Sequence, residues 1–370
     1  MKKRLSAPLM LLLLLLLAAS ASAQGTEGYT SYQGRVLSVQ VLEPEPFEEE
    51  GWENQLVTVE ILSGPHKGQT VQIVHTLTGH PYYDLQVHPG NRVILQADES
   101  GGGVEYYLSD FSRTRPLFAI TALFILVVVA IGGAQGVKAV LSLVGMGIVI
   151  LTMILPLILR GYNPIVVTVG LCSLLTGLFI LFVTGPTKKT AAAVAGTVGG
   201  LVAAGVLAFA AGRASFLTGL SSEEAQMLQF MDSSIDFKGL LFSGMIIGAL
   251  GAILDVGISI ASAMEQIREA DPTTDLKTLF TRGILVGRDM IATMSNTLIL
   301  AYVGSSLPLL LLFQASHTSW RQVLNLDLVA SEVVRAMAGT IGLTLAIPIT
   351  AFVSAALFVQ SEHKSKNLGN

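Results

Sequence analysis

The chain has 370 residues, of which 51% are hydrophobic and only 13% charged, against about 25% charged in an ordinary soluble domain. That balance excludes a soluble globular protein and describes a chain that crosses a membrane several times. The formal net charge of −4 gives no basis for nucleic-acid binding, and the single Cys172, set in an apolar stretch, excludes an internal disulfide or a cysteine-rich metal site.

Residues 1–23 read as a signal peptide. Lys2, Lys3 and Arg4 precede an apolar run from Leu9 to Ala19, and Ala21-Ser22-Ala23 supplies a small-x-small cleavage pattern. The run is short for a membrane span, which favours cleavage over an uncleaved anchor and places the mature N-terminus outside the cytoplasm. Residues 24–112 read as an extracytoplasmic β-rich domain. Runs rich in Val, Ile and Leu fall at Tyr32 to Leu42, Gln55 to Leu62, Gln69 to Leu77, Asn91 to Ala97 and Val104 to Leu108. Turn residues such as Gly64-Pro65-His66-Lys67-Gly68 and Pro89-Gly90-Asn91 separate them. Five short strands predict a small β-barrel or sandwich of OB-like size. Glu43, Glu45, Glu48, Glu49, Glu50 and Glu53, with Pro44 and Pro46, form a solvated acidic loop. His66, His75, His80 and His88 lack the tight spacing of zinc ligands, so no metal site is assigned.

Residues 113–362 predict an all-α transmembrane bundle of seven helices, at about 117–134, 137–159, 164–184, 190–212, 239–262, 289–313 and 336–359, before a cytoplasmic tail at 363–370. An odd count that starts outside ends inside. Lys138, Lys188, Lys189, Arg268, Lys277, Arg282, Lys364 and Lys366 then fall on the cytoplasmic side, a weak basic excess in the expected direction. The fourth span repeats Gly196, Gly200, Ala204, Ala208 and Gly212 every four positions, the pattern of a closely packed helix.

In the fifth span Gly244, Gly248, Gly251, Asp255, Ser259 and Ser262 alternate steps of four and three and form one narrow stripe, small at one end and acidic at the other. In the sixth, Asp289, Thr293 and Asn296 share a face, with Arg288 just before them at the expected mouth of the helix. Glycine stripes let helices approach. An aspartate near a helix centre instead costs about 2.5–3.5 kcal/mol on insertion scales, and such groups usually face a bundle interior or a water-filled cavity. Asp255, Ser259, Ser262, Arg288, Asp289, Thr293 and Asn296 are therefore the candidate ion or solute path, and Gly244, Gly248, Gly251, Gly196 and Gly200 the candidate packing positions. The two stripes are expected to face each other, with Asp255 or Ser259 close to Asp289, Thr293 or Asn296. The last span opens with Glu332 and Arg335, three apart and able to pair, and contains Pro348, which is expected to bend it.

The run from Gly248 to Asp255 (GALGAILD), Gly287-Arg288-Asp289, the run from Thr293 to Tyr302 (TMSNTLILAY), Ser306-Leu307-Pro308, Glu332 to Arg335 and Ile347-Pro348 together resemble the YibE/F family of bacterial multispanning membrane proteins. The resemblance covers nearly all of the chain and is strongest over 244–350; Ala292 stands where it implies glycine. It implies a β-rich head after a signal peptide, then a membrane bundle. Members of the family are described as efflux or permease proteins.

The polar stripes themselves point to a secondary transporter or permease in the bacterial plasma membrane, with Asp255 or Asp289 as a proton-carrying carboxylate. The competing reading is a non-transporting assembly or accessory protein whose β-domain binds a partner or envelope polymer. No GxSxG, HExxH or Walker A sequence occurs, and the Gly-x-Gly-Asp pattern of paired-aspartate proteases is absent, so neither an enzyme nor a cofactor is expected. The expected partners are the lipid bilayer and an unidentified ion or small solute; a homo-oligomer is possible.

Overall fold

The computed structural model describes residues 29–43, 52–98 and 104–368. The expected signal peptide at 1–23 and Glu45, Glu48, Glu49 and Glu50 of the acidic loop lie outside the described residues. The chain divides into two compact units that part between Gly133 and Ala134.

In the N-terminal unit, β1 (Tyr29–Val41), β2 (Glu53–Ile61), β3 (Thr70–Leu77), β4 (Arg92–Asp98) and β5 (Glu105–Phe111) form one antiparallel sheet in the order β3-β2-β1-β4-β5. The sheet curls into a half-barrel in which β3 and β5 approach across the open side. This is the order of an OB-type barrel left open between its third and fifth strands. Period-two alternation decides what lies inside: Val57, Val59 and Ile61 on β2 and Val93, Leu95 and Ala97 on β4 are buried, and the residues between them are not. β1 fits between these strands because Gly34 has no side chain. A Cβ there would stand 2.5 Å from Val59 Cγ1 and 3.0 Å from Leu95 Cδ1. The β2–β3 turn needs Gly64 twice over, for its φ of 85° and because a Cβ would meet the Tyr32 ring at 2.2 Å. The histidines find local partners: His75 Nε2 lies 3.1 Å from the Leu85 carbonyl, and His66 Nδ1 3.3 Å from Gln69 Oε1.

The helices are α1 (Thr114–Val149), then, after a π-helical turn at Ile150–Ile154, α2 (Leu155–Leu159), α3 (Pro164–Thr184), α4 (Lys188–Ala214), α5 (Glu223–Met231), α6 (Phe237–Ala270), α7 (Leu276–Ser305), α8 (Leu307–Ala315), α9 (Trp320–Val323) and α10 (Asp327–Leu368). Six helical runs among the described residues are long and apolar enough to cross a membrane: Thr114–Leu159, α3, α4, α6, α7 and Asp327–Val359 of α10. The first is 46 residues long, about 69 Å at 1.5 Å per residue, more than twice a hydrocarbon core of about 30 Å. It is broken at Gly133, where φ is 54° and ψ is −131°. The break falls where the first two expected spans were divided.

Caps fix several helix ends. Asn163 accepts a hydrogen bond from the Val166 N–H and Pro164 opens α3, so the helix begins and ends where hydropathy predicts. Thr187 and Thr190 form a capping box at α4. Asp236 accepts from the Gly239 N–H to start α6, and Asp275 from the Lys277 and Thr278 N–H groups to start α7.

Two helices depart from the expected bounds. The helix of the fifth expected span runs on to Ala270 instead of ending at 262, and that of the sixth starts at Leu276 instead of 289 and stops at Ser305, where Pro308 opens α8. Hydropathy excludes the polar turns at these ends, whereas the backbone stays helical through them because capped, solvated turns carry polar residues at no cost. Pro348 lies inside α10, which runs on past it.

α10 packs against α4, α6 and α7. The α4–α10 crossing is backbone to backbone. A Cβ on Gly200 would lie 2.8 Å from the Gly342 carbonyl oxygen, from Ala346 Cβ and from Ile253 Cγ2, and one on Gly196 would clash with Thr350 Oγ1 at 1.7 Å. Around this crossing the largest apolar cluster gathers Leu201, Ile253, Ile260, Met264, Leu343 and Ile347.

Candidate functional site

The register of α6 against α7 follows from three contacts: Gly248 lies by the Tyr302 hydroxyl, Gly287 by Ile260 and Gly283 by Met264. The helices run antiparallel, so Thr293 stands level with Asp255 and Asp289 level with Ser259. Both aspartates sit near the midpoints of their helices. This corrects the expected depth of Arg288 and Asp289: they lie in the middle of α7, not at its mouth.

Equal depth is not contact. Gly283 and Gly287 hold one side of α7 against Met264, Ala351 and Ile347. Asp289, Thr293 and Asn296 fall between about 180° and 240° around the helix from Gly287 at about 100° per residue. They are exposed on the helical unit, as Arg288 is. Thr293 Oγ1 donates within its own helix, 3.2 Å to the Met290 carbonyl. Among the described residues no hydrogen bond or ion pair joins Asp255 to Asp289, Thr293 or Asn296, and the expected facing of the two stripes within one chain is not found.

The α6 stripe is also open. Gly244, Gly248, Gly251, Asp255 and Ser259 are exposed and Ser262 is half-buried, while Ile246, Ala249, Ile253, Val256 and Ile260 on the other side are buried. A Cβ on Gly244 or Gly251 would meet nothing within 4 Å, and one on Gly248 would meet the Tyr302 hydroxyl oxygen at 2.8 Å. At Gly196 and Gly200 a Cβ would collide with α10, whereas at Gly244 and Gly251 it would meet none of the described residues within 4 Å.

The stripe starts at a cavity that sequence reading misses. Gly244 lines a pocket of about 400 Å³ between α5, α6 and α10, with Glu224, Leu228, Leu241, Leu328, Glu332 and Arg335. Its roof is tied to α10: Thr218 donates 2.5 Å to Asp327, Ser221 Oγ lies 3.4 Å from Ser331 Oγ, and Ala225 and Leu228 of α5 pack on the main apolar cluster. Serine at 222 caps α5 by accepting from the Ala225 N–H.

The expected Glu332–Arg335 pair forms, at 3.1 Å, and both side chains are largely buried. It is incomplete. Among the described residues Glu332 Oε2, Arg335 Nε and the hydroxyl of Tyr302 are enclosed without hydrogen-bond partners, and the hydroxyl lies within electrostatic reach of both charges. Leaving such groups unmatched costs about 1–3 kcal/mol each, more when charged. The one signal in the sequence was the three-residue spacing of Glu332 and Arg335; the roof and Tyr302 come from distant segments. At the other end of the bundle, Lys189 pairs with Glu265 at 2.7 Å and Arg282 with Asp271 at 3.7 Å.

A family model described as YibE/F-like protein matches residues 120–360, and one described as YibE/F family N-terminal domain matches residues 29–111. No curated protein and no solved structure matches the chain.

Proposed function

We propose that this chain, which belongs to the YibE/F family and is a membrane protein, is a secondary transporter or permease for a small polar solute. One observation carries the reading: the open stripe on α6 is continuous with the cavity. Gly244 belongs to both, Gly248 lies under the Tyr302 hydroxyl, and Gly251, Asp255 and Ser259 continue to the middle of the helix. A row without side chains that ends on a carboxylate leaves room for a solute and a place for a coupling proton. In this reading the protein makes and breaks no covalent bonds. Thr114–Leu159 crosses twice, on either side of Gly133, so the bundle has seven spans in the bacterial plasma membrane, with the mature N-terminus outside after signal-peptide removal and the C-terminus in the cytoplasm.

The test needs no known substrate. Cysteines placed at Gly251 and Ser259 in a Cys172→Ser background should react with a small membrane-impermeant thiol reagent, because an aqueous path reaches them. If neither reacts while a cysteine at Glu224 does, the stripe is sealed and the reading fails. In proteoliposomes Asp255→Asn should abolish proton-linked flux while the protein still accumulates.

A second reading is favoured by α7. Asp289, Thr293 and Asn296 form a polar stripe on the side of the helix away from its glycine contacts, and polar groups at mid-helix depth need cover in lipid. A membrane assembly protein, or a homo-oligomer of the permease, would cover them with another helix. Asp289→Leu should then lower the oligomeric mass in detergent without stopping thiol access at Gly251.

A further inference from the structure

We infer that the cavity between α5, α6 and α10 binds a small zwitterion, a molecule with an ammonium group, a carboxylate and an apolar body, as an α-amino acid with an aliphatic side chain has. The inference names the solute class for the permease proposed above, and its role in transport rests on that reading; binding itself does not.

Three features select this chemistry. The first is the charge pair. Glu332 and Arg335 stand side by side at 3.1 Å on one face of α10, each partly open to the cavity that both of them line. A ligand that brings only an anion satisfies one and leaves the other. A ligand with both charges satisfies both, and it replaces an ion pair by two charge-assisted contacts without leaving a buried charge alone.

The second feature is the sign of the rest of the wall. Glu224 on the roof adds a carboxylate with no second cation in the lining, so the ammonium is held between Glu332 and Glu224 and the carboxylate lies on Arg335. The third is the remaining surface, which is aliphatic, with Leu228, Leu241 and Leu328 available to the apolar body. A volume of about 400 Å³ is at the small end of ligand pockets, about 300–1,000 Å³, which suits a single metabolite rather than a polymer.

The experiment is isothermal titration calorimetry on the full chain in nanodiscs, with L-leucine as the probe. Isocaproate is leucine without the ammonium, and isoamylamine is leucine without the carboxylate. Saturable binding of L-leucine is expected, with each half-ligand about 10- to 100-fold weaker for the loss of one charge-assisted contact. Arg335→Gln should reverse the order and leave isoamylamine the better ligand.

Because breaking the pair can unfold the bundle, Gly244→Phe is the second variant. A Cβ at this position meets nothing within 4 Å, so the backbone tolerates it, and the ring enters the cavity and should abolish the heat. The inference is overturned if L-leucine gives no saturable binding, if isoamylamine binds as tightly, or if Gly244→Phe leaves binding intact. Thiol access at Gly251 without leucine binding refutes the zwitterion and keeps the permease. Leucine binding with a sealed stripe keeps the site and refutes the permease.

Discussion

One substitution, glycine to alanine, should have opposite effects at two positions only one helix apart. At Gly200 the new methyl would lie 2.8 Å from the Gly342 carbonyl oxygen, Ala346 Cβ and Ile253 Cγ2. Ordinary contact begins near 3.4 Å, and two of these neighbours are backbone or a methyl bonded directly to it, so α4 and α10 must separate by roughly half an ångström. Overpacking of this kind costs about 1–3 kcal/mol. At Gly244 the same methyl meets nothing within 4 Å, and alanine gains about 0.5–1 kcal/mol over glycine inside a helix. The two variants should thus differ by about 1.5–4 kcal/mol, or roughly 3–16 °C in unfolding midpoint at about 2–4 °C per kcal/mol. Fluorescence-detected thermal unfolding in one detergent reads both. Equal destabilisation would mean that Gly244 is packed in the working protein, and the open stripe on which the proposed path depends would not exist.

A reporter fused after Asn370 should be active in the cytoplasm; activity only outside would refute seven spans or their orientation. Residues 24–112 should fold alone as a soluble β-rich domain, and a disordered circular dichroism spectrum would mean that the half-barrel depends on the membrane part. The same fragment should show an acid limit set in part by Asp84. Hydrogen bonds to this carboxylate, first from the Thr78 N–H at 2.8 Å and also from the Thr78 hydroxyl at 2.9 Å, hold its pKa below the ordinary 3.8. A depressed carboxylate stabilises the fold above its unfolded value and loses that contribution as pH falls through the lower folded value. The fragment should therefore lose stability on acidification below 3.8, and Asp84→Asn should be less stable at neutral pH but flatter in that window. An unchanged acid profile in Asp84→Asn would refute the assignment.

Much was legible in local pattern. Alternating Val, Ile and Leu located all five strands to within three residues at each end, and the apolar run placed α3 at 164–184, because these signals are carried by the residues of the element itself. The glycines of α4 announced a close crossing, since only a missing side chain lets two helical backbones touch. Hydropathy misplaced the ends of α6 and α7 because helical hydrogen bonding does not stop where a helix leaves lipid; the cap at Asp275 was the better signal.

The direction of each stripe was beyond reach of the sequence. Periodicity at 100° per residue groups Asp289 with Thr293 and Asn296, and equally groups Gly283 with Gly287, but it cannot say which group turns inward. That is settled by the fit of Gly287 against Ile347 on α10, far along the chain. The cavity is of the same kind. The roof near Ser221, the wall at Gly244 and the pair Glu332–Arg335 are each ordinary in sequence, and a site exists only because the packing of α5, α6 and α10 brings them together. Which residues share a face is a property of one helix; what that face meets is a property of its neighbours.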